Sequence, residues 1–73
     1  MNQTHIDGGV VKVGDWVGFK SDIEQSGKVV AINRAGGYRS GVELTLENES
    51  GFSGDYIGGQ TSTTLSSLDC WID

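Results

Sequence analysis

Apolar residues occur along this chain in short runs that alternate with polar positions. Over residues 41–47, Val42, Leu44 and Leu46 alternate with polar neighbours, which is typical of a half-buried antiparallel strand with an acidic outer face. No segment repeats apolar residues at helical spacing. The chain is therefore predicted to be all-β, with turns made by its 12 glycines because it contains no proline.

Residues 10–20, "VVKVGDWVGFK", form the first predicted strand region. Gly14-Asp15 is expected to bend this strand. The residues of one parity are predicted to enter the core: Val11, Val13, Val17 and Phe19. Trp16 then falls on the opposite face, so it is either covered by another part of the chain or exposed for binding.

The next segments predict a loop, a central strand and a hairpin turn. Ile23 is expected to tuck under the loop 21–26 and cap the core. Residues 27–33, "GKVVAIN", have apolar side chains in both parities, which indicates a central strand that is covered on both sides or strongly twisted. Gly36-Gly37 is expected to adopt positive φ in a tight turn over residues 34–38.

Residues 48–60, "NESGFSGDYIGGQ", are predicted to form a mobile glycine-rich loop. Phe52 and Ile57 are its expected anchors, and Tyr56 is expected to project. Residues 61–65, "TSTTL", suit an edge strand, and 70–72, "CWI", a short final strand. Between them, residues 66–69 are predicted to make one helical turn with Leu68 facing inward.

The 73-residue length limits the chain to one domain, predicted as a flexible segment over residues 1–9 followed by a small barrel over residues 10–73. Cys70 is the single cysteine, so an intramolecular disulfide is excluded and the thiol is expected to be a buried apolar group. The start "MNQTHIDGG" lacks the features of a signal peptide, and no run is long enough to span a membrane. A cytoplasmic location is predicted.

The net charge of −5 is unevenly distributed. Residues 1–39 carry five basic and four acidic residues, whereas residues 40–73 carry six acidic residues and no basic one. Because nucleic-acid binding depends on neutralising phosphates, this balance disfavours it and favours a partner with a basic surface.

Two segments resemble a known class of fold. "VKVGDWVGF" followed by "GKVVAI" looks like the opening of SH3-like small β-barrels of the KOW and Tudor type, and "TSTTLSSLDCWI" looks like their closing strand–turn–strand. The resemblance covers roughly residues 10–72 and implies about five antiparallel strands with one short helical turn before the last. The small, acidic, proline-free composition also resembles that of bacteriophage accessory proteins, which would place the protein in the host cytoplasm.

Four side chains are the candidate partner-binding residues if they are exposed: Trp16, Lys20, Tyr38 and Tyr56. Trp71 is expected to be structural, because it lies in the strand that must close the barrel. No catalytic residues, cofactor site or metal site are predicted. His5 is the only histidine, and no metal-ligand spacing or phosphate-binding loop occurs.

Three functions follow from these observations. The first is a non-enzymatic module that docks a protein partner through exposed aromatics. The second is a nucleic-acid-associated KOW-like barrel, which would use the basic residues of the first half, Lys12, Lys20, Lys28, Arg34 and Arg39. The third is a structural subunit that pairs through an edge strand, since "TSTTL" lacks the Lys or Pro that usually protects an edge. The protein is predicted to be a monomer or a weak homo-oligomer.

Overall fold

The computed structural model describes all of residues 1–73. Its seven strands are, in chain order, β1 (Gln3–Ile6), β2 (Gly9–Lys12), β3 (Trp16–Lys20), β4 (Glu24–Arg34), β5 (Val42–Glu47), β6 (Ser62–Ser66) and β7 (Cys70–Ile72). A single 3-10 turn, Ser67–Asp69, directly precedes β7. This turn is the only helical element, and it is far too short to cross a membrane. The predicted all-β class and the predicted helical turn before the last strand are confirmed.

Antiparallel pairing joins five strands in one sheet, in the order β6-β5-β4-β3-β7, and joins β1 to β2 in a separate hairpin. The strand predicted to be central, β4, is central, and β6 lies at an edge as predicted. At the other edge, the backbone N–H of Ile72 in β7 donates to the carbonyl of Asp7 at 2.9 Å. The β7 edge is therefore partly covered, whereas no strand pairs with the outer side of β6.

Regular structure begins at Gln3, ahead of the barrel boundary predicted at Val10. The hairpin packs onto the inner face of the large sheet, where Val11 is fully buried and Ile6 contacts the core. The Met1 amino group also donates to the carbonyl of Ile32 at 3.0 Å. The sequence did not predict β1, because its alternation is short and gains an apolar face only when β2 pairs with it.

The core lies between the inner face of the sheet and the covering hairpin and loop. Its nine buried residues are Val11, Val17, Phe19, Val29, Ile32, Leu44, Leu46, Phe52 and Cys70. Cys70 is buried as predicted, but the prediction for Val13 is wrong, since its side chain is 48% exposed. Val13 lies in the turn between β2 and β3, where Gly14 has a φ of +100° and interrupts the alternation.

A β-bulge in β4 explains why its apolar residues occupy both parities. Val29 pairs with Leu46 and Ala31 with Thr45, which leaves Val30 as the extra residue. The bulge shifts the alternation by one position, so both Val29 and Ile32 face the core. The bulge therefore accounts for apolar residues in both parities of β4, and the strand need not be covered on both sides.

Three predicted local details are wrong. Positive φ occurs at Gly41 (φ +71°), not at Gly36 or Gly37, because the β4–β5 connection is a longer loop over residues 35–41. Ile23 is 43% exposed, since β4 begins directly after it and leaves no loop for it to tuck under. Leu68 is 62% exposed, because the 3-10 turn directs Ser67 inward instead.

The loop between β5 and β6, residues 48–61, packs against the sheet through the two predicted anchors. Phe52 is 4% exposed and meets Phe19 edge to face at a ring-centroid distance of 5.5 Å, and Ile57 packs beside the core. The Asp22 carboxylate accepts a hydrogen bond of 2.7 Å from the backbone N–H of Asp55. The loop is therefore joined to the β3–β4 turn as well as to the core.

Candidate binding site on the outer sheet face

Trp16, Lys28 and Glu47 form one row across three strands on the outer face of the sheet. Trp16 in β3 is directly opposite Lys28 in β4, and Lys28 is directly opposite Glu47 in β5. Their neighbours Val17 and Leu46 are buried, which places the row on the solvent side. Trp16 remains 51% exposed, so the rest of the chain leaves about half of its surface open to solvent.

A surface depression of about 430 Å³ lies beside the indole of Trp16. Its lining residues come from three strands and the start of the β5–β6 loop: Trp16, Lys28, Val30, Glu47, Asn48, Glu49 and Ser50. Val30 reaches this face because it is the bulge residue of β4. The depression therefore combines an aromatic ring and a branched aliphatic side chain with a polar rim.

The rim of this depression is acidic on balance, with two carboxylates, Glu47 and Glu49, and one ammonium group, Lys28. The same two carboxylates line a second depression of about 300 Å³ together with Thr61. Trp16 thus lines the same depression as two carboxylates, a combination whose chemistry suits a cationic side chain. The aliphatic stem of such a side chain would pack on the indole and on Val30.

Trp71 lies on the same outer face, but its indole packs against the sheet. It pairs with Gly18, and its indole occupies the space above that glycine. The Asp73 carboxylate, near the end of the chain, accepts a hydrogen bond of 2.7 Å from the Ser26 hydroxyl. Trp71 is half-buried, in keeping with its predicted structural role, and Trp16 is left as the more exposed indole of this face.

The other three candidate residues do not line the depression at Trp16. Lys20 is exposed on the same face at the far end of β3, about 13 Å from Trp16 at the usual rise of a strand. Tyr38 is half-buried in the β4–β5 loop, beside a separate depression that also involves Arg39 and Leu68. Tyr56 projects from the β5–β6 loop and is 74% exposed, as predicted.

Neither the single cysteine nor the single histidine lines the depressions beside Trp16 and Glu47. Burial, and secondarily the nearby charge of Asp69, raises the pKa of the Cys70 thiol to about 12. His5, the one candidate base for a thiol, is exposed on β1. No three histidine, cysteine or carboxylate side chains are grouped so that they could hold a metal ion.

Sequence reasoning did not identify Lys28 and Val30 as neighbours of Trp16. Glu47 and Glu49 were recognised only as part of an acidic outer face. The alternation over residues 41–47 gave the outward direction of Glu47, but the row depends on strand register, and Val30 depends on the bulge. Neither register nor a bulge has a reliable signal in a single sequence.

Comparison with protein-family models, curated proteins and solved structures finds no match to this chain.

Proposed function

We propose that this protein is a non-enzymatic binding module that docks a protein partner at Trp16. The main support is that Trp16 is 51% exposed beside a depression with an aliphatic wall and an acidic rim. Tryptophan is among the residue types most enriched at the energetic centres of protein interfaces. Leaving half of it in water costs hydrophobic free energy that a partner surface would recover.

The proposed partner presents a basic segment. A depression of about 430 Å³ is too small to enclose a folded domain but has room for one or two side chains. Lysine and arginine fit its chemistry best, because their stems pack on Trp16 and their charges approach Glu47 and Glu49. The wholly acidic second half of the chain would also accelerate the approach of a basic surface.

We further propose that the five-stranded sheet is an SH3-like barrel, a scaffold that is compatible with many binding functions. The order β6-β5-β4-β3-β7 supports this, since the last strand returns to pair with the first strand of that sheet. The 3-10 turn directly before β7 supports it as well.

Nucleic-acid binding is the weaker candidate. Only Lys28 among the five basic residues lines the depression at Trp16, and it faces Glu47 in the adjacent strand. Lys12 lies at the end of β2, on the separate hairpin. Arg34 and Arg39 lie at the β4–β5 loop, so the basic residues are spread over different parts of the fold.

The proposal is tested by titrating the ¹⁵N-labelled protein with equal-length peptides that are basic, neutral or acidic. We expect the basic peptides to shift the resonances of Trp16, Lys28, Val30 and Glu47, with affinity that falls as salt is added. Trp16→Ala should abolish these shifts, whereas the matched truncation Tyr56→Ala should preserve them. Shifts centred elsewhere, or equal binding by Trp16→Ala, would reject the site.

A further inference from the structure

The outer edge of β6 carries unpaired backbone groups. The backbone N–H of Asn48 donates to the carbonyl of Thr61, which fixes the ladder so that the odd-numbered residues of β6 bond to β5. The N–H and C=O groups of Ser62 and Thr64 therefore point away from β5, toward a side on which no strand lies. Unpaired backbone groups along a strand edge can form hydrogen bonds with another strand.

This edge is also uncharged in a protein that is otherwise strongly acidic. Residues 61–68 read "TSTTLSSL" and contain no charged side chain, although the chain has a net charge of −5. They also contain no proline, and β6 follows β5 without a bulge. Three of the usual features that prevent edge-to-edge pairing, namely charged side chains, proline and a bulge, are therefore missing here.

We propose that β6 pairs with β6 of a second copy of this chain, antiparallel and centred on Thr64. Two copies that each carry a charge of −5 repel one another, so they are best joined through an uncharged surface. An antiparallel ladder between identical strands is self-complementary about a two-fold axis. Thr64 then bonds to Thr64 of the second copy. Ser62 lies opposite Ser66, which is buried and whose carbonyl already accepts a hydrogen bond from the Cys70 thiol, so the Thr64 pair is the centre of the contact.

The resulting sheet is continuous through both copies. On its inner face, Thr63 of one copy lies beside Leu65 of the other, and Leu65 already packs against its own core. A five-residue edge buries far less surface than a typical stable interface, so the dimer dissociates on dilution. The pairing does not rest on the proposed partner site, because β6 and β3 are separated by two strands.

Sedimentation equilibrium from micromolar to millimolar protein tests the pairing. The mass of the wild-type protein should rise from 7.8 kDa toward twice that value, and added salt should strengthen association by screening the repulsion. Thr64→Glu should abolish association, because two carboxylates would then face each other across the axis. His5→Glu adds the same charge on β1 and should associate measurably better than Thr64→Glu.

A second variant tests the backbone ladder itself. Thr64→Pro removes the outward N–H of residue 64 without removing a bond to β5, so it should give a monomer whose circular dichroism matches that of the wild type. If that variant fails to fold, amide exchange of the wild type replaces it. Exchange at Thr64 should then slow as concentration rises, while Trp16→Ala behaves like the wild type.

Two results would overturn the pairing. If the wild-type protein remains monomeric at millimolar concentration, β6 does not pair with itself, and only a strand from a different protein could pair with this edge. A dimer that persists in Thr64→Glu, with no protection of the Thr64 amide, would place the contact elsewhere on the surface.

Discussion

The indole of Trp71 in β7 lies directly over Gly18 in β3, its partner across the outer face of the sheet. A Cβ at position 18 would overlap the indole nitrogen and its neighbouring ring atoms. Gly18 has no positive φ, so backbone conformation does not require glycine at this position. Glycine is needed because the ring of the closing strand occupies the space of a side chain.

Gly18→Ala is therefore expected to lower the free energy of unfolding by about 1–3 kcal/mol, the usual cost of overpacking. Urea denaturation would measure the loss. Gly36→Ala is the matched control, because nothing lies within 4 Å of a Cβ there and φ is not positive. Equal stability of Gly18→Ala and Gly36→Ala would show that Trp71 moves aside without cost.

The two tryptophans are expected to differ in their contribution to stability. Trp71→Ala leaves a void above Gly18 and frees the end of β7, whereas Trp16→Ala removes a side chain that is already 51% exposed. Thermal denaturation should therefore show a clearly larger drop in Tm for Trp71→Ala. A larger drop for Trp16→Ala would mean that Trp16 is mainly structural and would weaken the binding proposal.

Phe52 joins the β5–β6 loop to the core through a buried ring. Phe52→Ala should cost about 3–5 kcal/mol, because it removes a buried ring that packs edge to face on Phe19. A core of this size supplies only about 3–5 kcal/mol of net stability, so the variant should be largely unfolded at room temperature. Phe52→Leu should remain folded, and the dispersion of amide proton resonances distinguishes the two results.

The Asp22 carboxylate makes the stability of the loop contact dependent on pH. The hydrogen bond from the Asp55 backbone N–H is the main cause that lowers the pKa of Asp22 below the ordinary value of 3.8. A lowered pKa in the folded state adds stability above pH 3.8, and this stability is lost as pH falls through the lowered value. The Tm difference between the wild type and Asp22→Asn should therefore shrink on acidification.

Asp69→Asn serves as the control for Asp22→Asn, because Asp69 is exposed and accepts no comparable hydrogen bond from another loop. This variant removes one negative charge without removing a contact between loops, so it shows what the loss of a carboxylate does by itself. A Tm difference for Asp22→Asn that stays constant on acidification would mean that the contact with Asp55 does not depend on the charge of the carboxylate.

The Cys70 thiol is expected to be chemically inert in the folded protein. It is 1% exposed, and burial raises its pKa to about 12, so the reactive thiolate is scarce at neutral pH. Mass spectrometry after iodoacetamide treatment should find no modification without denaturant and complete modification in urea. Rapid labelling without denaturant would indicate that β7 separates readily from β3.

Most of the strands, although not β1, could be predicted from local pattern alone. The alternation of Val42, Leu44 and Leu46 determined both the existence of β5 and its inward face, since a period of two has one physical interpretation. The same reasoning found the edge position of the threonine-rich strand and the anchoring role of Phe52. Each of these depends on composition and on near neighbours in the chain.

Tertiary structure decided the features that depend on which strands meet and in what register. The bulge at Val30, the row of Trp16, Lys28 and Glu47, and the position of Trp71 over Gly18 all come from pairings between distant segments. The sequence by itself determined that this is a small acidic β-protein with one cysteine. It left open whether Trp16 is exposed or covered. Only the fold decided that Trp16 is 51% exposed, because burial depends on what packs beside a residue, and the folded chain leaves about half of this residue open to solvent.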